Sequence, residues 1–495
     1  MSQGRGPCLP PTRTSHTTPQ EDSVTTVAAR ARSRTRTQPV LEAGAAPGRT
    51  GQTPALLAAL LGFAVITIDV SAVNIALPGI RDDLHSGMTG LQWVADAYTL
   101  MFAGLMLSAG ALSDRTGARR AYVLGTTLFT LASLACAVAP GLGALIAARV
   151  VQGGAAAVLM PASLALIREA YDDARRRARA IALWTVGGSV SMAAGPVLGG
   201  VLTEHVGWRA VFFLNLPVGA AILLLLTKVA PSPRRPAPLD IPGQITAVLT
   251  LAGLTFAVIE GGGAGLAALA VAVVSAITFY VTEKRHRAPM VPLTMLRDRT
   301  VSVSLAVGFA INVGFYGVVF LLGLYLQQLR GMSATAAGLV FVPLAVLITG
   351  TNLISPRVAE RFGRRPVVVI GQLVLALAMF ALLPLTAHTP TWLLLTLLVP
   401  TGLGGAFAIP AVTAMLMDAV PGPRVGTASG LLNALRQTGG ALAVAVFGTL
   451  LASNGEGTFS LTGMRVSLVV AGVLLVATAV VSGVALRTSG PVRRN

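Results

Sequence analysis

Asp69 stands in the middle of an apolar stretch, Ile66-Thr67-Ile68-Asp69-Val70-Ser71-Ala72-Val73-Asn74-Ile75-Ala76-Leu77-Pro78. In a bilayer-crossing segment, a charge at that depth costs at least about 2.5–3.5 kcal/mol on insertion scales. Burial disfavours the ionised form of a carboxyl group, so such a group can load a proton on one aqueous face and release it on the other. Arg149 stands in a second apolar stretch, Leu145-Ile146-Ala147-Ala148-Arg149-Val150-Val151-Gln152-Gly153. A guanidinium keeps its proton; beside a protonatable Asp it stabilises the carboxylate and promotes proton release. The alternative is an Arg whose head snorkels to the lipid headgroups. Asp96, in Trp93-Val94-Ala95-Asp96-Ala97-Tyr98, reads either as a further titratable group or cation contact, or as an interfacial residue that reaches water. Asp69, Arg149 and Asp96 form the candidate proton-coupling set.

Polar and aromatic residues inside other apolar stretches suggest a lined cavity. Asn74, Trp93 and Tyr98 contribute from the first half of the chain; Asn312, Phe315, Tyr316, Asn433 and Arg436 contribute from the second. That mixture suits a broad, mostly apolar pocket for a small molecule, although aromatics at helical spacing also serve packing and membrane interfaces. Other chemistries lack their residues. No phosphate-binding loop is present, and Gly261-Gly262-Gly263-Ala264-Gly265 follows no strand and reads as a turn. The five His are scattered without metal-ligand spacing, and two Cys support neither a disulfide framework nor a thiolate metal site. No cofactor and no metal are expected.

The elements that carry these residues follow from composition. Of 495 residues, 54% are hydrophobic and 11% charged, and the mean hydropathy is +0.74. Soluble domains carry about 25% charged residues, so an ordinary cytosolic enzyme is excluded, and the hydrophobicity excludes a disordered chain. Apolar runs occupy 55–78, 91–112, 120–139, 142–167, 181–203, 210–230, 241–260, 265–282, 300–326, 335–355, 366–387, 391–417, 427–452 and 465–486. Each approaches the roughly 20 residues that a membrane-crossing helix needs. Fourteen crossings put both termini on one side. With that side inside, 31 of the 37 basic residues fall on inside segments, four outside (Arg81, Arg209, Arg330, Arg465) and two within runs. This matches the positive-inside rule. The net charge of +18 is therefore topological, and no nucleic-acid partner is required. Residues 1–50 lack the apolar core of a secretory signal and read as a disordered cytoplasmic tail or an over-called start, with a transit peptide as the alternative that their Arg-rich, acid-poor composition leaves open.

Two half-chains are marked by a repeat. Ser113-Asp114-Arg115-Thr116-Gly117-Ala118-Arg119-Arg120 follows the second run, and Ala359-Glu360-Arg361-Phe362-Gly363-Arg364-Arg365 follows the tenth. Two halves of six helices leave two over, which fall in the middle. The fifth run adds Gly187, Ser191, Gly195 and Gly199 at every fourth position, with Pro196 and Gly200 beside them. Small residues at that spacing let helices approach closely, for rocking or for static packing.

Over about residues 55–486, these features resemble the fourteen-helix drug:proton antiporter family of the major facilitator superfamily, and in particular its antibiotic-resistance exporters of the methylenomycin type. Gly110 through Arg120 is similar to the superfamily loop motif. The resemblance implies that Gly110, Asp114, Arg115, Gly117, Arg119 and Arg120 form a conformational latch between halves on the inner face. Arg149 with Gln152-Gly153 resembles the motif associated with proton transfer. Gly195-Pro196 with Gly199-Gly200 resembles the antiporter motif of the fifth helix, Ser191 standing where a Gly is usual. Asp69 with Asn74 and Pro78, and Gly207-Trp208-Arg209 with Phe213-Leu214-Asn215-Leu216-Pro217, resemble the fourteen-helix branch. Some multidrug members carry a further carboxylate in the second half; none lies within runs nine to fourteen here.

The expectation is an all-α polytopic membrane protein with the major facilitator fold. It comprises a tail at 1–54, six-helix bundles at 55–230 and 300–486, a two-helix insert within 231–299 acting as a lipid-facing spacer, and a tail at 487–495. The expected activity is proton-driven efflux of small amphipathic compounds by a monomer in the inner (plasma) membrane, with small molecule, protons and lipid as its partners. The rivals are a proton-coupled symporter or facilitator and a sensor that does not transport. A membrane-embedded enzyme would want a catalytic cluster that the sequence lacks.

Overall fold

The computed structural model describes residues 51–234, 240–286, 289–421, 424–452 and 459–486. The expected tail at 487–495 and most of that at 1–54 lie outside the described residues, and the last residues of the latter already belong to the first helix. Backbone in hydrocarbon must bond to itself, and a helix does so within one segment. The fourteen apolar runs accordingly become fourteen helices long and apolar enough to cross a membrane. They are α1 (Gln52–Leu84), α2 (Met88–Thr116), α3 (Ala118–Ala137), α4 (Leu142–Ala170), α5 (Ala174–His205), α6 (Arg209–Leu226), α7 (Ile241–Glu260), α8 (Gly262–Arg285), α9 (Arg299–Leu329), α10 (Ala334–Phe362), α11 (Arg364–Ala381), α12 (Thr391–Asp418), α13 (Val425–Ala452) and α14 (Leu461–Ala485).

Several helices outrun their apolar stretches. α1 continues through Pro78 to Asp82 and Asp83, and α10 continues through Arg357 and Glu360, because a helix already nucleated extends cheaply into water. Asp173, Asp240, Asp298, Ser333 and Ser460 cap the starts of α5, α7, α9, α10 and α14 by accepting backbone N–H bonds. α6 is interrupted at Leu214, where Pro217 supplies no N–H to the Phe213 carbonyl. The glycine-rich stretch is a shorter turn than expected. Gly261 and Gly262 take φ of +59° and +55°, and Gly263–Gly265 already lie in α8.

α1 to α6 pack as one bundle, with α1 against α4, α5 and α6, and α4 against α2 and α3. α9 to α14 form a second, with α9 against α13 and α14, and α11 against α12 and α14. The bundles meet along two seams, α2 with α13 and α5 with α10. The repeat is reproduced in geometry. Gly117 and Gly363 take nearly the same left-handed conformation, φ +88° and +89°. Arg119 then bonds through Nε to the Leu226 carbonyl at the end of α6 (3.0 Å), and Arg365 bonds to the Gly483 carbonyl at the end of α14. Each loop Arg thus ties the third helix of its half to the sixth.

The central insert differs from the expected spacer. Both insert helices pack on one another and are mostly exposed, and α7 in addition lies on both helices of one seam. Gln244 Nε2 donates to the Gly104 carbonyl of α2 (2.5 Å), and Thr449 Oγ1 of α13 donates to the Val258 carbonyl (3.1 Å). The Gly104 position makes the first approach feasible, since a Cβ there would sit 2.9 Å from the Val248 side chain.

Candidate functional site

Close helix contact builds the site. Gly153 of α4 lies against the Tyr98 backbone of α2, where any Cβ would collide with the Tyr98 carbonyl. One turn before it, Arg149 therefore enters the interior of the first bundle instead of reaching for headgroups. Arg149 is 1% exposed and Asp69 0% exposed, so snorkelling is excluded. Arg149 Nη1 meets Asp69 Oδ2 at 2.5 Å, and its Nε donates to the Val94 carbonyl at 3.1 Å. The guanidinium carbon stands 4.3 Å from the centroid of the Tyr98 ring, which adds cation–π attraction.

Asp69 has two further partners: Gln152, which the proton-transfer motif groups with Arg149, and Asn215, which sequence reasoning did not place in the site. Gln152 Nε2 (2.9 Å) and Asn215 Nδ2 (2.8 Å) both donate to Asp69 Oδ1. Ser133 Oγ accepts from Gln152 (2.9 Å) and from Asn215 (3.2 Å). Gln152 Oε1 accepts from Arg149 (2.8 Å). Side chains from α1, α3, α4 and α6 thereby converge on one carboxylate. The signal for Asn215 was available: a polar residue at the helix break set by Pro217. Ser133 offered none, because an isolated Ser in an apolar helix commonly bonds its own backbone, and here it also does so, to the Phe129 carbonyl.

The carboxylate is not itself on the central cavity. That cavity, about 20 Å³ of water-accessible space, is lined by Val70, Val73, Asn74, Ala95, Thr99, Arg149, Tyr316, Gly440 and Val444. Arg149 is the group that joins Asp69 to it. Of the other cavity candidates, Asn74 and Tyr316 are placed on the wall. Phe315 is edge-on to Tyr316, ring centroids 5.5 Å apart. Asn312 is buried on the preceding turn of α9, while Asn433 and Arg436 pair with one another on α13 (3.2 Å). Tyr98 is buried under Arg149 and away from the wall. Trp93 faces the insert, donating to Glu260 Oε1 (2.8 Å) beside Phe256. Both are corrections: each points away from the inter-bundle face of α2, where Ala95 and Thr99 lie.

Asp96 does not reach water. It is 0% exposed, and neither of its carboxylate oxygens has a hydrogen-bond partner among the described residues. It shares a face of α2 with Gln92 one turn before and Leu107 three turns after, and both touch α13. The seam between bundles, not the headgroup region, therefore holds it.

The small-residue helix splits in two. Gly195 and Gly199 lie on Ser71 and Ala72 of α1, inside the first bundle. Pro196 and Gly200 lie on Gly338 and Ala334 of α10, across the seam. The fourfold-spaced stripe with Ser191 is thus internal packing, and its neighbour is the inter-bundle contact. In the loop motif, Gly117 holds the strap after α6 close. Ser232 Oγ accepts from the Arg119 N–H (2.9 Å) and bonds Glu169. Gly110 is half-buried; Asp114, Arg115 and Arg120 are exposed, and none of the three joins an ion pair among the described residues.

Side-chain hydrogen bonds between the bundles gather at the face opposite residue 51. Among the described residues they include Gln92 to the Ala445 carbonyl (2.6 Å) and to Thr449 (3.4 Å), Gln327 to the Ile75 carbonyl (3.0 Å), and the Thr335 N–H to Glu204 (3.0 Å). The molecule is therefore held closed at that face.

Known proteins share this architecture. The profile of the Major Facilitator Superfamily matches residues 59–361 and 346–495. The chain is 35% identical to a methylenomycin A resistance protein of Streptomyces coelicolor, over 80% of this chain and 85% of that one. It is 36% identical to the multidrug resistance protein Stp of Mycobacterium tuberculosis, over 80% and 75%. A crystal structure of a D-xylose–proton symporter superposes with a TM-score of 0.63 at 15% identity, covering 89% of this chain and 99% of that one. With two six-helix bundles, a repeated loop between second and third helices, and these matches, the chain belongs to the Major Facilitator Superfamily.

Proposed function

We propose that this chain is a proton-driven exporter of small amphipathic compounds, an antibiotic among them, in the plasma membrane with both termini cytoplasmic. Its similarity to resistance proteins for methylenomycin A and for multiple drugs supports export. The observation that carries proton coupling is the buried Asp69–Arg149 pair, with Arg149 on the cavity wall. Ionised Asp69 holds Arg149 back. Protonated Asp69 releases it, so the charge presented to the cavity depends on whether a proton is bound. Asp96, buried at the α2–α13 seam, is the second proton candidate.

In the proposed cycle the face carrying residue 51 is the cytoplasmic one, so the face held closed here is the outer one. Substrate enters between the bundles as Asp69 loses its proton to the cytoplasm. The bundles, residues 55–230 and 300–486, then rock about the Pro196–Gly200 contact with α10, carrying the insert within 231–299 with them. Asp114 and its Arg neighbours engage as the inner face closes. Each proton moving inward gains about 2.3 kcal/mol per 100 mV, enough for substantial accumulation of a neutral solute outside. The test is drug transport in inverted vesicles with an imposed pH gradient. Asp69→Asn is expected to lower gradient-driven transport at least tenfold; normal rates in that variant would refute the coupling, and movement of drug with protons in the same direction would mark a symporter.

A further inference from the structure

Among the described residues, Arg436 is a cation without a counter-charge. It is half-buried in α13. Its Nη1 donates to the neutral Asn433 side chain at 3.2 Å, and its buried Nε has no acceptor. It joins none of the ion pairs among the described residues. The acids between 300 and 486 are Glu360, Asp418 and Glu456. Glu360 is exposed, Asp418 is paired with Arg364 at the end of its helix, Glu456 lies outside the described residues, and Asp96, the buried acid of the facing α2, forms no ion pair with Arg436. A guanidinium stays charged when buried, and a charge at membrane depth that meets no carboxylate among the described residues points to a ligand.

Arg436 and Asn312 each lie one turn from residues that line the central cavity, Gly440 and Tyr316, without lining it themselves. Gly440 and Val444 follow Arg436 at one and two turns on the same face of α13, and both line the central cavity. Opposite, Gly308 of α9 leaves room for the Arg436 stem, which a Cβ there would meet at 3.2 Å. On the same stripe of α9 follow Asn312 and then Tyr316. Asn312 is 1% exposed and its Nδ2 has no acceptor, and Tyr316 lines the cavity. Two facing stripes thus hold two buried N–H donors, Arg436 Nε and Asn312 Nδ2, that lack acceptors among the described residues. Across the cavity the Asp69–Arg149 pair neutralises itself and adds no net charge.

We propose that Arg436 and Asn312 form a subsite for a carboxylate on the transported compound, so that the chain prefers organic anions over neutral or cationic relatives of equal shape. The exported compound's carboxylate would supply the missing counter-charge and accept both orphaned N–H groups. This rests on the export reading for the entry of a small molecule into the cavity, and it names the chemistry of that molecule.

The test is equilibrium binding to the full chain in phosphatidylcholine nanodiscs, without any gradient. The probes are dansylglycine, a carboxylate, and dansylglycinamide, its neutral counterpart, followed by fluorescence. The expected result is about tenfold tighter binding of dansylglycine. Arg436→Gln is expected to abolish the preference while keeping dansylglycinamide affinity within about twofold, Arg436→Lys to retain part of it, and Asn312→Leu to reduce it. Thermal unfolding and gel filtration identify any misfolded variant, and the Lys variant keeps the charge if the Gln variant fails to fold. Equal affinity of the unaltered protein for the two probes overturns the proposal, as does an Arg436→Gln loss that is the same for both. Loss of dansylglycine binding on adding phosphatidylglycerol to the discs also overturns it, by assigning the subsite to a lipid headgroup. Because no gradient is present, failure here leaves gradient-driven transport of a neutral drug intact, whereas absence of such transport with the preference intact refutes export alone.

Discussion

At the scale of residues, a single carboxylate is held by three donors from two other helices, Arg149 and Gln152 of α4 and Asn215 of α6, two of which are braced by Ser133 of α3. Removing one member of a buried ion pair leaves the other uncompensated, which costs about 3–5 kcal/mol. Arg149→Gln is therefore expected to lower the thermal unfolding midpoint sharply, and Asp69→Asn combined with Arg149→Gln to recover part of that loss. A double-mutant cycle on the purified protein measures this coupling; strict additivity would show that the two side chains do not act as a pair. Asn215→Ala removes a hydrogen bond to a charged acceptor and leaves that acceptor's oxygen short of a donor, at about 1.5–3 kcal/mol. The same unfolding measurement checks it, with Thr278→Ala, an exposed hydroxyl on α8 bonded to its own backbone, as a neutral comparison.

At the scale of elements, α5 does two jobs on adjacent stripes, and substitutions should separate them. Gly199 lies on the backbone of Ala72, 2.6 Å from where a Cβ would stand. Gly199→Leu is expected to destabilise the first bundle by about 1–3 kcal/mol or more, whichever face is open. Gly338 instead lies on the Pro196 carbonyl across the seam. Gly338→Leu should leave the bundles folded and force the closed face apart. Labelling of a cysteine introduced at Val444 by a membrane-impermeant thiol reagent added from that face is expected to rise at least fivefold, an order-of-magnitude reading of the few kcal/mol that overpacking supplies. Unchanged labelling would mean that this contact does not hold the face closed. α7 belongs to the same scale. Its bonds to Gly104 and from Thr449 make it a cover over the α2–α13 seam, a role that a purely lipid-facing helix would not have.

At the scale of the whole molecule, charge distribution and topology make one prediction together. Basic residues crowd the ends that carry residue 51, the 113–120 loop and the 359–365 loop. A fluorescent protein joined after Leu486 is expected to fluoresce, and alkaline phosphatase joined after Gly261 to be active, with signals at least about tenfold above the reversed fusions, as the positive-inside bias implies. The reverse pattern would invert the membrane orientation and with it the direction of the proposed proton flow. The nearly identical backbone of Gly117 and Gly363, and the parallel ties from Arg119 and Arg365 to the last helix of each half, show that the repeat extends from loop sequence to bundle construction.

Sequence alone determined the number of helices, their order and the family. Those follow from hydrophobic length, which hydrocarbon thickness fixes locally, and from loop motifs whose residues lie next to one another in the chain. It also located Asp69 and Arg149, because a charge in an apolar run is conspicuous without any fold. Only tertiary structure decided that Arg149 turns inward instead of snorkelling, that Ser133 and Asn215 complete the site, that Asp96 is shut inside a seam, and that Trp93 and Tyr98 miss the cavity. Each of these depends on which face of a helix meets which neighbour. In a membrane helix that is apolar all round, periodicity carries little of that information, since lipid and protein interior favour the same side chains.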